Sequence, residues 1–379
     1  MTNQTITGSE ALAYGALEAG VQFATGYPGS PSTATMDALL RLGVEQVRVE
    51  WAINEKSAFD AAFGASLAGV PSLVCLKSVG LNVALDSLMV SNLAGSNGGL
   101  VLLVGDDPGG WGSQNEEDSR PLVAAAEVPL LEPTTPAEAR NVMVEAFDLS
   151  ERFCLPTVIR ITRALSVDQV SHLPPLRPAP FRQPASFQRH PERYNVLPIN
   201  VVKFHRQLQA TLGQIQAQFE ISPSNGEQGP GRKGIIASGY AYHKLQDILS
   251  GEIPPELRIL DLTHLHPLPS NRISSFLRQL DAALVIEETL PYVETRVQAI
   301  AQRAALTLPI YGRSSGHLPG AGELAPAHLA LALTSLLPDA PPPAPAETGR
   351  AMPSRQPLCG DCPYIPVFDG LLSVMERHG

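Results

Sequence analysis

Two short segments carry most of the residues that could do chemistry. Residues 25–33 (TGYPGSPST) form a turn of glycines, prolines and hydroxyls after an apolar strand pattern. Backbone N–H groups in such a turn can hold an anionic group. Residues 51–58 (WAINEKSA) then bring a single carboxylate, Glu55, to the start of a helix rich in small residues. Together the two segments indicate half of a cofactor site.

The residues alone leave two interpretations of Glu55 open. In the first, its carboxylate only stabilises the helix N-terminus, where the dipole favours an anion, and Asn54 is the cap. In the second, the carboxylate is desolvated at a tight helix seam and needs a proton or a specific partner. The second rests on a stripe of small residues at helical spacing, namely Ala58, Ala61, Ala62, Ala65 and Gly69.

Ser30 and Arg120 are a second pair of candidates. Ser30 lies in the turn, and Arg120 ends a polar loop, residues 113–120 (SQNEEDSR), after a later strand pattern. Loops beyond the carboxyl ends of parallel strands meet over one crevice, where a guanidinium can clamp a substrate carboxylate. The alternative is an ion pair of Arg120 within its own loop, with an acidic residue at 116, 117 or 118.

Cys359 and Cys362 form a C-x₂-C turn that offers two ligands to a metal or cluster, whereas four are normally required. Either another chain supplies the others, or the pair is a redox or structural remnant. Cys75 and Cys154 lie in apolar segments, so we expect buried, inert thiols. We expect structural or solvated roles for the other conspicuous groups, which are Asp106, Asp107, His264, His266, Glu287, Glu288 and Glu294.

The elements that would position these residues form an α/β fold with two parallel sheets. Helix and strand patterns alternate from residue 8 to about 162, and apolar runs such as 100–104 (LVLLV) indicate strands buried on both faces. A second such series follows a proline-rich segment. We therefore expect one domain at residues 1–172, a linker at 173–198, a second domain at 199–337, and a tail at 338–379 with the cysteine pair.

Composition argues against several classes of protein. The chain has 379 residues, of which 44% are hydrophobic and 17% charged, and this describes a globular protein of two or three domains. A net charge of −10 without a basic run argues against binding to nucleic acid or anionic membranes. No signal peptide or spanning stretch of ~18 apolar residues is evident, so we expect a cytoplasmic protein.

These segments together resemble the 2-oxoacid:ferredoxin oxidoreductase superfamily, in particular the α subunits of indolepyruvate ferredoxin oxidoreductases. The resemblance extends in order over nearly the whole chain. It is carried by residues 26–32 (GYPGSPS), 50–56 (EWAINEK), 77–84 (KSVGLNVA), 106–108 (DDP), 113–120, 285–288 (VIEE), 318–324 (LPGAGEL) and 359–363 (CGDCP).

The resemblance implies a fold and roles for the candidate residues. The first domain would bind the aminopyrimidine end of thiamine diphosphate, and the second would resemble the transketolase C-terminal domain. Glu55 matches the glutamate that hydrogen-bonds the pyrimidine N1′ atom and favours its imino tautomer. Ser30 and Arg120 match substrate-binding positions. The implied cofactor contacts besides Glu55 are Tyr27, Pro28 and Gly29.

The implied reaction is oxidative decarboxylation of a 2-oxoacid, aryl or branched rather than pyruvate, to acyl-CoA and CO₂. Coenzyme A is the co-substrate, and electrons pass to iron–sulfur clusters and a ferredoxin or similar carrier. Two alternatives stay open. One is a non-redox thiamine-dependent decarboxylase or ligase subunit, and the other is a non-catalytic scaffold paralogue.

The resemblance also implies partner chains. Full-length relatives continue into a diphosphate-binding domain with a Gly-Asp-x-Gly-Cys Mg²⁺ motif, whereas this sequence stops at Gly379. We therefore expect a hetero-oligomer with a diphosphate-binding subunit, which holds Mg²⁺, and a γ-type subunit. Cys359 and Cys362 would be ligands of a [4Fe-4S] cluster completed by the partner. The family's Cys-Pro-Gly-Cys-Pro-His here reads Cys-Gly-Asp-Cys-Pro-Tyr, which places Tyr364 where relatives have histidine.

Overall fold

The computed structural model describes residues 5–43, 45, 47–171, 174–337, 362 and 364–378. Residues Met1–Pro342 form one compact unit, and Pro343–Gly379 form a second that is described by itself. The strands are β1 Ile6–Thr7, β2 Phe23–Gly26, β3 Arg48–Trp51, β4 Ser72–Lys77, β5 Leu100–Asp106, β6 Leu130–Leu131, β7 Thr157–Thr162, β8 Gln169–Val170, β9 Glu227–Gln228, β10 Lys233–Ser238, β11 Leu257–Leu262, β12 His264–His266, β13 Ala282–Ile286 and β14 Ile310–Tyr311.

Helices alternate with most of these strands. They are α1 Gly8–Glu18, α2 Thr33–Leu42, α3 Glu55–Leu67, α4 Ser78–Ala94, α5 Arg120–Ala125, α6 Pro136–Phe153, α7 Arg163–Val167, α8 Pro191–Tyr194, α9 Pro198–Glu220, α10 Tyr240–Leu249, α11 Ser270–Leu277, α12 Tyr292–Arg303, α13 Pro326–Leu336 and α14 Ile365–His378. Strands β1 and β8 pair with each other outside the two main sheets.

The first main sheet has the strand order β12-β6-β7-β5-β4-β2-β3 and is parallel except for β12. Alternate side chains of a strand point to opposite faces, so its central strands are buried on both sides. In β5, Val101 and Leu103 join the core of α1, α2 and α6, whereas Leu102 and Val104 join that of α3 and α4. The predicted parallel sheet between helices is confirmed.

The second main sheet has the order β14-β13-β10-β11-β9, in which only β9 is antiparallel. Its Ile236, Leu260 and Val285 lie in the same hydrophobic core as Leu102 and Val104 of the first sheet. Helix α10 and strands β11 and β13 belong to the second series of helix and strand patterns that the sequence predicts after the proline-rich segment. Domain boundaries stay a prediction.

Helix α9 is absent from the predictions made on sequence. Its apolar residues recur every three or four positions and are buried, and most belong to the core of α1 and α6. These residues are Phe204, Leu208, Leu212, Ile215 and Phe219. Residues 198–220, which fall almost entirely in the range predicted for the second domain, therefore pack on the first sheet.

Strand β12 also joins the first sheet, where His264 lies opposite Leu131 of β6. The His264 Nε2 atom lies 2.8 Å from Glu145 Oε1, and its Nδ1 atom lies 3.1 Å from Asn225 Oδ1. Its ring centroid is 4.0 Å from that of Phe219. Both ring nitrogens of His264 thus have partners and its ring packs on Phe219, so the predicted structural role is confirmed.

The cysteine predictions have mixed outcomes. Cys75 is buried, and this burial raises the pKa of its thiol. The prediction for Cys154 is wrong, because this residue ends α6 in a left-handed conformation (φ 53°) that exposes it. Cys359 lies outside the described residues, and Cys362 is a half-buried free thiol. No helix in the described parts of the chain is long and apolar enough to cross a membrane.

His266 should make the protein sensitive to mild acid. Burial, with a smaller effect of Arg296, lowers the pKa of His266 from 6.5 to about 4. When the pH falls from 6.5 toward 4, His266 becomes protonated in the unfolded chain but stays neutral in the folded protein. Stability is therefore highest above pH 6.5 and falls toward pH 4, by up to about 3 kcal/mol from this group.

Urea denaturation at pH 7 and pH 5 tests this expectation. His266→Gln cannot be protonated, so its stability should fall less than that of the wild type between the two pH values. His190→Gln, at an exposed histidine, is the matched control and should behave as the wild type. An identical pH dependence in His266→Gln and the wild type would contradict the assignment.

Candidate functional site

The candidate residues lie at one edge of the first sheet. Strands β3, β2, β4 and β5 are adjacent and parallel, so the loops that follow them leave from the same edge. The turn with Ser30 follows β2, Glu55 follows β3, and Lys77 ends β4. In an open α/β sheet this carboxyl edge is where ligands bind.

The turn after β2 satisfies part of its own hydrogen bonding. The Gly29 N–H donates to Thr33 Oγ1 at 2.7 Å, and the Thr33 N–H donates to the Gly29 carbonyl at 3.1 Å. The Ser32 hydroxyl also donates to that carbonyl. Ser30 is exposed, and Tyr27 is 40% exposed. The groups that the turn exposes are therefore the Ser30 hydroxyl and the Tyr27 aromatic ring, rather than a set of backbone N–H donors.

Glu55 is the first residue of α3. Asn54 caps this helix, as predicted, because its side chain accepts the Ser57 N–H at 2.8 Å. The Glu55 side chain is half-buried, yet among the described residues its carboxylate has no hydrogen-bond or ion-pair partner. The helix dipole stabilises an anion at this position. The geometry therefore leaves an ionisable acceptor that is held in place but not satisfied.

The junction of β4 and α4 brings Glu55 and the turn together. A Cβ atom built on Gly80 would lie 2.7 Å from Glu55 Cγ, so only glycine leaves room for this carboxylate. A Cβ atom built on Gly29 would lie 2.8 Å from Lys77 Cβ. Residues 77–80 thus touch both candidate segments. Within the predicted small-residue stripe, Ala58 and Ala62 are buried and Ala61 is exposed.

Arg120 is enclosed between two carboxylates. Its Nη2 atom lies 2.6 Å from Asp118 Oδ2, and its Nη1 atom lies 2.8 Å from Glu287 Oε2, without hydrogen-bond alignment in the second contact. All three side chains are inaccessible to solvent or nearly so. Burial alone would lower the pKa of Arg120, but the two carboxylates raise it well above its ordinary value. The ion pair within its own loop is observed, and the substrate contact stays a prediction.

A second buried arginine was not identified from the sequence. Arg160 in β7 donates from Nε to Asp106 at 2.7 Å and pairs through Nη1 with Glu132. Asp106 also accepts the Ser119 N–H. Burial raises the pKa of Asp106 and of Glu132 despite this cation. A charged residue inside the otherwise apolar run 158–161 (VIRI) was the available signal for a buried ion pair.

The acidic residues expected to be structural are so. Glu287 accepts the N–H groups of Val293 and Glu294, and Glu288 pairs with Lys244 at 2.8 Å. Glu294 accepts the Ser314 N–H. In the described ranges no group of three or more histidine, cysteine or acidic side chains could hold a metal ion.

A cleft of about 390 Å³ lies between α6 and α9 and contains none of the candidate residues. The carboxyl edge is the better candidate because the unsatisfied carboxylate lies there.

Residues 14–222 match the family described as "Pyruvate flavodoxin/ferredoxin oxidoreductase, thiamine diP-bdg". This match covers more than half of the 379 residues. The chain belongs to this family. The resemblance to the 2-oxoacid:ferredoxin oxidoreductase superfamily is therefore confirmed, and the turn after β2 and Glu55 both lie inside the matched residues.

Curated relatives carry the name "Indolepyruvate oxidoreductase subunit IorA". The protein of Archaeoglobus fulgidus is 34% identical over 389 residues, which are 99% of this chain and 61% of that protein. The protein of Pyrococcus abyssi is 34% identical over 315 residues, which are 81% of this chain and 49% of that protein. The chain thus matches only about half to three-fifths of the length of these relatives.

A solved structure shares the fold. It is 2-oxoglutarate:ferredoxin oxidoreductase from Magnetococcus marinus, with 2-oxoglutarate, coenzyme A and succinyl-CoA bound. The TM-score is 0.70 at 16% identity, with 88% of this chain and 65% of that chain covered. At this identity the likeness concerns the fold.

A methyl group at residue 80 should displace the Glu55 carboxylate. The family is described as thiamine diphosphate-binding, and for a cofactor site that includes Glu55 we expect Gly80→Ala to weaken binding of this cofactor at least about tenfold, because Glu55 must leave its position. Calorimetric titration of the protein with its co-purifying subunits measures this.

Gly64→Ala is the matched control, since Gly64 lies in α3 and nothing is within 4 Å of its built Cβ. It should keep cofactor affinity and stabilise the helix by up to about 1 kcal/mol. Equal cofactor affinity in Gly80→Ala and the wild type would remove Gly80 from the site.

Loss of the Arg120 charge should destabilise the fold. Arg120→Met leaves Asp118 and Glu287 buried without a cation, which costs about 3–5 kcal/mol. In the variant the two carboxylates would take up protons more readily when folded than when unfolded. The deficit against the wild type should therefore shrink as the pH falls from 7 to 5.

Chemical denaturation at both pH values measures this deficit. Arg41→Met removes an exposed pair with Glu10 and serves as the control, with an expected cost of at most about 1 kcal/mol. A cost for Arg120→Met as small as that of the control would show that the buried pair does not stabilise the fold.

Proposed function

We propose that this chain is the α subunit of an oxidoreductase that decarboxylates an indolepyruvate-like 2-oxoacid with the help of thiamine diphosphate. The products would be acyl-CoA and CO₂, with coenzyme A as co-substrate and electrons passed to iron–sulfur clusters. Family membership and the names of the curated relatives support the reaction class. The observation that carries the proposal is the half-buried, unpartnered carboxylate of Glu55 at the carboxyl edge of the sheet.

The residues at this edge fit the aminopyrimidine end of the cofactor. A ring nitrogen that carries or shares a proton would satisfy Glu55, and Gly80 leaves the space that this carboxylate needs. Tyr27, Pro28 and Gly29 would line the ring. Once bound, thiamine diphosphate supplies the nucleophilic carbon and the electron sink that decarboxylation requires.

In this proposal Glu55 acts on a proton. Its carboxylate would accept a hydrogen bond from the pyrimidine N1′ atom and would so favour the reactive tautomer of the bound cofactor. This carboxylate lies in the first turn of α3, beside the positive end of the helix dipole. The exposed Ser30 hydroxyl faces the same edge and would donate to the substrate.

A second protein surface would complete the site. Three large side chains around Glu55 stay exposed, namely Tyr27 (40%), Trp51 (37%) and Ile53 (85%). A diphosphate-binding subunit that also holds Mg²⁺ would cover them and exclude water. A γ-type subunit, a ferredoxin-like acceptor and a [4Fe-4S] cluster at Cys359 and Cys362 complete the proposed cytoplasmic complex.

Replacement of Glu55 tests the proposed function. In the assembled complex, Glu55→Gln should lower 2-oxoacid-dependent reduction of methyl viologen by about 100-fold or more, because an amide is a poor acceptor for this proton. The melting temperature without ligands should stay close to that of the wild type, since the carboxylate has no protein partner among the described residues.

Glu50→Gln makes the same chemical change at an exposed position of β3 and should keep wild-type turnover. Unchanged turnover in Glu55→Gln would rule out the proposed role. Reduction of viologen also distinguishes a redox enzyme from a simple decarboxylase, which would release CO₂ without reducing the dye.

A further inference from the structure

The proposed substrate brings a carboxylate to the carboxyl edge of the first sheet, and the structure shows which cation can meet it. The guanidinium of Arg120 already lies between Asp118 and Glu287 and is inaccessible to solvent. A substrate carboxylate would have to displace a buried carboxylate to reach it, which is costly. Another cation near Ser30 is therefore needed.

Lys77 is that cation. Its stem packs against the turn, since a Cβ built on Gly29 would lie 2.8 Å from Lys77 Cβ and 3.4 Å from Cδ. Its Nζ atom donates to the Gly112 carbonyl at 3.0 Å. An ammonium group has three donors, and among the described residues Lys77 has no carboxylate partner. Lys77 therefore carries a charge without a carboxylate partner, on a stem that packs against Gly29, the neighbour of Ser30 in the turn.

The position of Lys77 at the N-terminus of α4 also favours a bound anion. Lys77 is the N-cap residue of this 17-residue helix, and no side chain caps the helix N-terminus. Cations are favoured at helix C-termini, so an ammonium group at the positive end of the dipole is unfavourable by itself. An anion bound between Nζ and the first N–H groups of α4 would relieve both charges.

Other cations at this edge are already engaged. Lys56 pairs with Asp86 at 2.9 Å. Arg163, which follows β7, lies over the ring of Trp111, with its Cζ atom 5.8 Å from the ring centroid. Lys77, in contrast, combines contact with the turn and a charge without a carboxylate partner among the described residues.

We propose that Lys77 binds the carboxylate of the 2-oxoacid substrate, a role that sequence resemblance assigns to Arg120. The inference rests on the proposed function and adds to it the residue that selects an acid over a neutral carbonyl compound. The Gly112 carbonyl fixes the direction of the Lys77 side chain, and Ser30 binds beside it.

The test compares a carboxylate ligand with its neutral counterpart in the assembled enzyme. Lys77→Met keeps the aliphatic stem and removes the charge. It should raise KM for an aryl 2-oxoacid and Ki for the matching arylacetate at least about tenfold, a loss of roughly 1.4 kcal/mol in binding. The Ki of arylacetamide, which has no charge, should change less than about twofold. Lys77→Arg should restore most of the carboxylate affinity.

Two control variants make the result decisive. Lys56→Met removes a charge that Asp86 already neutralises and should leave all constants unchanged. Equal loss of arylacetate and arylacetamide binding in Lys77→Met would show a structural role only and overturn the proposal. Selective loss in Arg163→Met instead would assign the carboxylate to Arg163. Wild-type enzyme that turns over no 2-oxoacid would refute the proposed function itself, whereas normal constants in Lys77→Met would refute this inference alone.

Discussion

The enclosure of Arg120 between Asp118 and Glu287 is the constraint on which the rest of the structure depends. Burial of three charged groups is unfavourable unless their remaining hydrogen-bonding atoms are also satisfied. Here Asp118 also accepts the N–H groups of Thr289 and Leu290, and the Arg120 Nη2 atom donates to the Leu290 carbonyl. Asp118 and Arg120 come after β5 of the first sheet, whereas Glu287, Thr289 and Leu290 come after β13 of the second sheet. The desolvation of these charges is therefore offset only when the two sheets lie together.

This junction extends to the candidate site through residues 107–118. Glu116 accepts N–H groups from Gly109 in the same loop and from Gly322 in the second half of the chain. The Trp111 indole donates to Glu323, which in turn pairs with Lys244. In the same loop, the Gly112 carbonyl accepts a hydrogen bond from the Lys77 Nζ atom. A loop held from the second sheet thus positions a side chain at the carboxyl edge of the first.

Sequence patterns predicted the strands of four or more residues and most helices, because these depend on local periodicity. The apolar run of β5 needs only its own seven residues to be recognised. The pairing of β12 with β6 could not be predicted, since it joins residues 264–266 to 130–131 and three residues carry little pattern. The period of Phe204, Leu208 and Leu212 was present in α9, but a proline-rich stretch before it masked the helix. Asn54 and Glu55 were placed correctly because a cap and a helix start are local signals.

The residue types at the site could also be identified from the sequence. Whether each carboxylate has a hydrogen-bond or ion-pair partner could not. Glu55, Asp118 and Glu287 are equally acidic in the sequence, yet two are paired and one has no partner among the described residues. A carboxylate that stabilises a fold must be satisfied within the fold. One that binds a ligand must keep its acceptor free until the ligand arrives, and Glu55 does so in the first turn of a helix, where the dipole favours an anion.

The same distinction separates the two cations. Arg120 pairs with Asp118 and Glu287, so its charge is neutralised within the chain and stabilises the junction of the two sheets. Lys77 makes one hydrogen bond to a carbonyl and lies at the positive end of a helix, where its charge is opposed rather than neutralised. Among the described residues no carboxylate stabilises this ammonium group, which is the arrangement that we propose for a group that binds an anionic ligand. A carboxylate that enters beside Ser30 has the charge and the position that such a ligand needs.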